Sequence, residues 1–141
     1  MKKIILFLFF TSLLYSQEQK KTLTLLFNSD DFSVTLDAEI ILNTFFSDET
    51  ISVETITISG FCDDLGTNEN NKILSNKRAN AVAEYLQDNY NLEVDALFAK
   101  GEIVLNSSEK NIVFARKNNR KVVLEISYLK AEIEPQLNKV F

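Results

Sequence analysis

The residues best placed to do chemistry in this chain lie between Gly60 and Val82, where an acidic loop runs into a helix. Asp63 and Asp64 supply carboxylates, and Arg78, fifteen positions after Asp63, supplies a guanidinium. An ionised aspartate only accepts hydrogen bonds, and arginine only donates them, through a planar fork. Together they suit a small zwitterion, such as an amino acid with its own ammonium and carboxylate. Gly66 permits a positive φ in a tight turn, and Gly60 is expected to let the preceding strand leave the sheet sharply. Such a turn aims backbone N–H groups inward, and the helix N-terminus that follows has the same preference for anions. Asn71 and Ser75 fall where they cap or brace that helix start. An Asp63–Arg78 salt bridge that merely closes the loop would use the same residues, and spacing alone leaves both readings open.

The elements that must position these groups are visible as changes of period. Thr22–Phe27 has the composition of a strand and ends at the turn-forming Asn28-Ser29-Asp30-Asp31. Leu36, Ile40, Ile41 and Phe45 then fall on one helical face, with Thr35 or Asp37 as the cap. A second strand is predicted over Val53–Ser59, and a second helix from about Asn71 to Asn89 with Leu74, Ala81, Val82, Tyr85 and Leu86 as its buried stripe. Val94–Lys100 reads as a third strand ending at Gly101. The segment 102–118 is mostly polar around an apolar patch, Ile112-Val113-Phe114, and Lys121–Tyr128 alternates as the last strand. The predicted order is β-α-β-α-β-β. It corresponds to an α+β, two-layer βαβαββ sandwich, a mixed sheet with its helices on one face. Residues 22–129 form the expected domain, and residues 130–141, with the only proline, Pro135, form a surface tail.

Composition removes several classes of function. The 141 residues are 45% hydrophobic and 11% aromatic, enough for one packed core. Met1-Lys2-Lys3, the twelve-residue apolar run Ile4–Tyr15 and the small Ser16 have the layout of a secretory signal peptide, residues 1–16. The run is short of the roughly 20 residues a spanning helix needs, although a retained N-terminal anchor stays open. No cysteine follows the run to carry a lipid. Without Lys2 and Lys3 the chain holds 13 basic and 20 acidic residues, a net charge of −7, which repels nucleic acid. Cys62 is the only cysteine, so no intramolecular disulfide is available, and it closes an apolar strand that would bury it. The absence of histidine removes the usual proton shuttle, the histidine-based triad and the common zinc sites. Asp63 and Asp64 are adjacent rather than facing, unlike the carboxylate pair of a glycosidase. Neither a cofactor nor a metal is expected.

The spacing around the loop resembles the signature of the OmpA-like peptidoglycan-binding domain, roughly G-H-T-D-x-x-G, four residues, then N-x-x-L-S-x-x-R-A-x-x-V. Gly60, Asp63, Gly66, Asn71, Leu74, Ser75, Arg78, Ala79 and Val82 match it in register without a gap. Gly101-Glu102 resembles the family's Gly-x-Gly-Glu turn, and Asn119-Arg120-Lys121-Val122 its Asn-Arg-Arg-Val lead into the last strand. Leu26-Phe27 and Asp30-Asp31-Phe32 resemble its first strand and turn. The resemblance implies that Asp63 binds the ammonium, and Arg78 the carboxylate, of diaminopimelate in the peptidoglycan stem peptide. It assigns supporting roles to the loop N–H groups of Leu65, Gly66 and Thr67 and to the Asn71 side chain. Arg120 is a further candidate, equally readable as a solvated cation. The implied protein is a non-catalytic binding module of the periplasm or outer membrane. The alternative is an envelope protein that keeps the fold but binds another protein, with peptidoglycan binding weakened or lost. Two departures bear on that choice. Phe61-Cys62 stands where the family has His-Thr, and Asp64 adds a like charge beside Asp63.

Overall fold

The computed structural model describes residues 17–131, so the signal-peptide segment and residues 132–141 of the tail lie outside the described residues. Seven elements follow in order: β1 (Glu18–Leu26), α1 (Leu36–Phe46), β2 (Ile51–Cys62), α2 (Asn68–Tyr90), β3 (Ala96–Glu102), α3 (Ile112–Asn119) and β4 (Lys121–Lys130). Four strands and the two long helices appear as the sequence predicts, and α3 is additional, inside the segment that shows no apolar period. Thr35 caps α1 by accepting from the Ala38 amide, and its hydroxyl donates to the Leu26 carbonyl, which fixes the helix to the end of β1. Thr67 caps α2 in the same way through Asn70, so the helix begins at Asn68, three residues before Asn71. Asn91, in the left-handed region at φ 54°, ends α2.

The strands form one mixed sheet in the order β1-β4-β2-β3. β4 lies antiparallel between β1 and β2, while β3 pairs parallel with β2 on the far edge. The parallel pair requires a crossover, and α2 supplies it. Leu25 faces Val122, and Ile58 lies between Leu124 and Leu97, so one face of the sheet is apolar along its width. Against that face pack Ala38 and Leu42 of α1 and Ala79, Val82 and Leu86 of α2, in a single cluster. Each of the larger side chains here contributes about 1.5–3 kcal/mol by leaving water.

Three local expectations change. On α1 the buried positions are Ala38 and Leu42, whereas Leu36 and Ile40 are 71% and 54% exposed. On α2 the buried stripe is Asn71, Ser75, Arg78, Ala79, Val82 and Leu86, rotated away from Leu74, Ala81 and Tyr85. Its first half is polar because it lies over strand ends whose backbone groups need partners. Ser75 accepts from the Gly101 amide at 3.0 Å, and the Asn71 side chain donates to the Glu102 carboxylate, at the end of β3, at 2.8 Å. Finally, Gly60 does not end β2, which continues through a bulge at Gly60/Phe61 to Cys62. The absence of a side chain at Gly60 serves a different purpose. A Cβ there would stand 2.0 Å from the Ser75 carbonyl oxygen and 3.2 Å from the Ala79 Cβ. α2 therefore packs directly on the backbone of β2, and Arg78 is carried to the strand's end. Gly60→Ala should separate helix from strand and destabilise the domain by about 1–3 kcal/mol or more, read as a lower urea midpoint at unchanged slope. A midpoint equal to the parent's would show that the close approach is dispensable.

Candidate binding site

Asp63 is the first residue after β2, and Arg78 lies nearly three turns into α2. Both are buried, at 6% and 0% exposure, yet they form no ion pair with each other. The Arg78 guanidinium is directed at backbone. Nε donates to the Asp31 carbonyl at 2.8 Å, Nη2 to the Asn28 carbonyl at 2.8 Å, and Nη1 to the Phe61 carbonyl at 3.1 Å. Nη1 also reaches the Cys62 sulfur at 3.4 Å, and the Phe27 ring lies 5.5 Å away. Four of its five donors are thus engaged and one Nη2 N–H remains. Burial pushes the Arg78 pKa down, against the opposing pull of Cys62 and Asp63. Arg78 binds the β1–α1 loop to the end of β2.

Cys62 stands where the family pattern has a hydroxyl. Its thiol is buried, donates to the Asn71 carbonyl at 3.2 Å and lies against Arg78. Burial pushes the thiol's pKa up.

Asp63 has other partners. Oδ1 accepts from the Leu65 amide at 3.2 Å, and Oδ2 from Arg120 Nη1 at 3.2 Å. Arg120, at the C-terminal end of α3, also donates Nε to the Phe27 carbonyl at 3.2 Å. Asp64 turns to Arg116 on α3 at 2.7 Å. That hydrogen bond holds Asp64 below the usual carboxylate range and raises Arg116. The second aspartate is therefore neutralised locally. The sequence offers Arg116 only as part of a basic run with Lys117, Arg120 and Lys121, readable as attracting the polymer's carboxylates or as a solvated face, and its pairing with Asp64 is what sequence reasoning missed. The available signal was two arginines four positions apart, one helical turn, downstream of an Asp-Asp pair.

The remaining predicted residues divide. Gly66 adopts φ +92° in the turn, as its type suggested. Leu65, Gly66 and Asn71 line a cleft of about 320 Å³ together with Asp30, Phe32 and Lys77. Thr67 is occupied as the α2 cap, and the Leu65 N–H is taken by Asp63. Asp63 and Arg78 lie outside the cleft lining, and Arg120 lines a different cleft of about 490 Å³ between β1 and the start of α1. Among the described residues no group of histidine, cysteine, aspartate and glutamate is arranged to hold a metal ion.

Comparison with known proteins identifies the fold and the family. The chain shares its fold with the OmpA-like domain of FopA1 from Francisella tularensis, at 20% identity, a TM-score of 0.59 and coverage of 83% of this chain and 78% of that one. The peptidoglycan-associated lipoprotein from Burkholderia pseudomallei is similar at 24% identity and a TM-score of 0.51, covering 74% and 88%. The cell wall anchor of the T6SS from Pseudomonas aeruginosa is similar at 21% identity and 0.52, covering 80% and 82%. No curated protein matches the sequence. The OmpA family pattern matches residues 26–122, which include both strands flanking the site, all of α2 and the Asp63–Arg78 loop. By that match, the chain belongs to the OmpA family.

Proposed function

We propose that this protein is an exported, non-catalytic module that binds peptidoglycan at the β2–α2 junction, taking diaminopimelate of the stem peptide. The observation that carries the reading is a carboxylate and a guanidinium buried at one loop junction without cancelling each other. Asp63 retains acceptor capacity, since a carboxylate has about four lone-pair sites and two are used. Its contact with Arg120, at 3.2 Å, is longer than the 2.7–2.9 Å of a strong charge-assisted bond. A ligand ammonium would therefore compete with Arg120 at Oδ2. Arg78 offers its remaining Nη2 N–H to the ligand's carboxylate while holding both loops. Family membership supports the choice of polymer, as does the fold shared with proteins named for peptidoglycan and for the cell wall. The site of action would be the periplasm or the outer membrane.

A second reading, an envelope protein that keeps the fold to bind another protein, is favoured by the complete burial of Arg78, which limits ligand access. Titration calorimetry with free diaminopimelate separates the two, because the second reading requires no heat.

Retention on purified sacculi should fall for Asp63→Ala by at least about tenfold, the lower end of what loss of one partner of a buried charged contact costs. It should also fall as salt rises from about 50 to about 500 mM, where screening shortens the reach of the charges. Asp63→Ala retained like the parent would rule out this site. Arg78→Ala should behave differently, because it strips donors from three carbonyls at roughly 1–3 kcal/mol each. Its melting temperature should drop along with binding, whereas Asp63→Ala should lose binding with a much smaller drop.

A further inference from the structure

The apolar stripe of α1 has no cover among the described residues. Leu36 and Ile40 are exposed, and Ile41 and Phe45 beside them are only partly buried. Ile40, Ile41, Thr44 and Phe45 form one wall of a cleft of about 280 Å³, and Lys21 and Leu23 of β1 form the other. β1 pairs only with β4, so the cleft runs beside an open sheet edge, away from the β2–α2 junction.

The segment 132–141 leaves the sheet next to this cleft. Lys130 pairs with Asp48 at 3.4 Å, and the Ala131 amide donates to the Thr50 carbonyl at 2.9 Å, so β4 ends beside the C-terminal end of α1. Phe45, a wall of the cleft, meets the Tyr128 ring with centroids 5.3 Å apart. Lys21 and Leu23 pair with Ile126 and Leu124, which places the cleft about 13–20 Å back along the sheet from Lys130, at roughly 3.3 Å per residue. Ten residues extend to about 33–36 Å, more than that path requires.

The composition of the segment fits the cleft as well. Leu137, Val140 and Phe141 are spaced i, i+3 and i+4, one face of a helix, and Pro135 is tolerated in a helix's first turn. Two acids, Glu132 and Glu134, precede them, and Lys21 has no ion pair among the described residues. A segment joined to the domain through a few residues also acts at an effective concentration on the order of millimolar, an advantage that a separate partner lacks.

We propose that residues 132–141 fold back into the cleft between β1 and α1. Leu137, Val140 and Phe141 pack on Ile40 and Phe45, and the two glutamates lie beside Lys21. The docked segment covers the open edge of β1, where another chain could otherwise add a strand. This assignment stands apart from the peptidoglycan reading.

The chain has no tryptophan, so Phe141→Trp supplies a unique reporter. Its emission and its quenching by acrylamide are compared, in the full chain, with those of a peptide of residues 131–141 carrying the same substitution. Emission from the full chain should lie to the blue of the peptide's and be less quenched, at every protein concentration. Adding Ile40→Glu or Thr44→Glu should return both readings to the peptide's values. Both positions are exposed, and an unchanged far-UV circular dichroism spectrum confirms that the variants are folded. Peptide-like emission from the full chain would overturn the proposal. So would a blue shift lost on dilution, which would put a second copy's segment in the cleft. A blue shift that survives both cleft substitutions would overturn it too, by placing the segment elsewhere.

Discussion

A guanidinium with no exposed surface, Arg78, is the interaction on which the rest of this structure depends. Removing such an ion from water costs several kcal/mol unless hydrogen bonds replace the lost hydration. Here three carbonyls and a thiol replace it. The carbonyls come from two separate segments, residues 28–31 and the end of β2, so satisfying the charge determines where both segments go. The arrangement is possible only because Gly60 lets α2 lie on the backbone of β2. Ser75 touches the glycine, and Arg78, three residues on, reaches the strand's end. A larger residue at position 60 would move the guanidinium away from every carbonyl it serves.

The acidic loop is organised by a second set of charges. α3 has no buried residue, and its side chains Ile112, Val113 and Phe114 are exposed. It is tied down through the ion pair of Arg116 with Asp64, and the arginine at its C-terminal end, Arg120, pairs with Asp63. The two bonds differ in length, 2.7 Å against 3.2 Å. The shorter one locks α3 to the loop. The longer joins the end of the helix to the first residue after β2, so α3 is held to the loop at both aspartates.

Much of this was legible in the sequence, and what was not has definite physical causes. The strands, the long helices, the Thr35 cap and the Gly66 turn follow from alternation, period and residue type. The stripe on α1 misleads because the helix packs beside the edge strand β1, where Leu36 and Ile40 line clefts between the two rather than the core. The stripe on α2 misleads for the opposite reason. Its buried face begins with Asn71, Ser75 and Arg78, which a hydrophobic count reads as solvent-facing. Helix α3 is invisible to periodicity because ion pairs hold it. The loop motif puts Asp63 and Arg78 on one loop-to-helix junction, yet it could not show that Arg78 faces carbonyls or that Arg120 meets Asp63. Both facts depend on chain segments far apart in sequence.

The same contacts couple segments that are far apart in the chain. One guanidinium, Arg78, holds the Asn28 and Asp31 carbonyls together with the Phe61 carbonyl at the end of β2, so the β1–α1 loop and the strand end cannot shift independently. Asp63, two residues after Phe61, is bound in turn to Arg120, whose Nε donates to the Phe27 carbonyl. Two arginines, one within α2 and one at the end of α3, thus grip successive carbonyls where β1 gives way to its loop. Carbonyls that lose such donors while buried cost about 1–3 kcal/mol each. Loosening either arginine would therefore release the end of β1 and the acidic loop together, so the frame of this junction rests on two charges as much as on apolar packing.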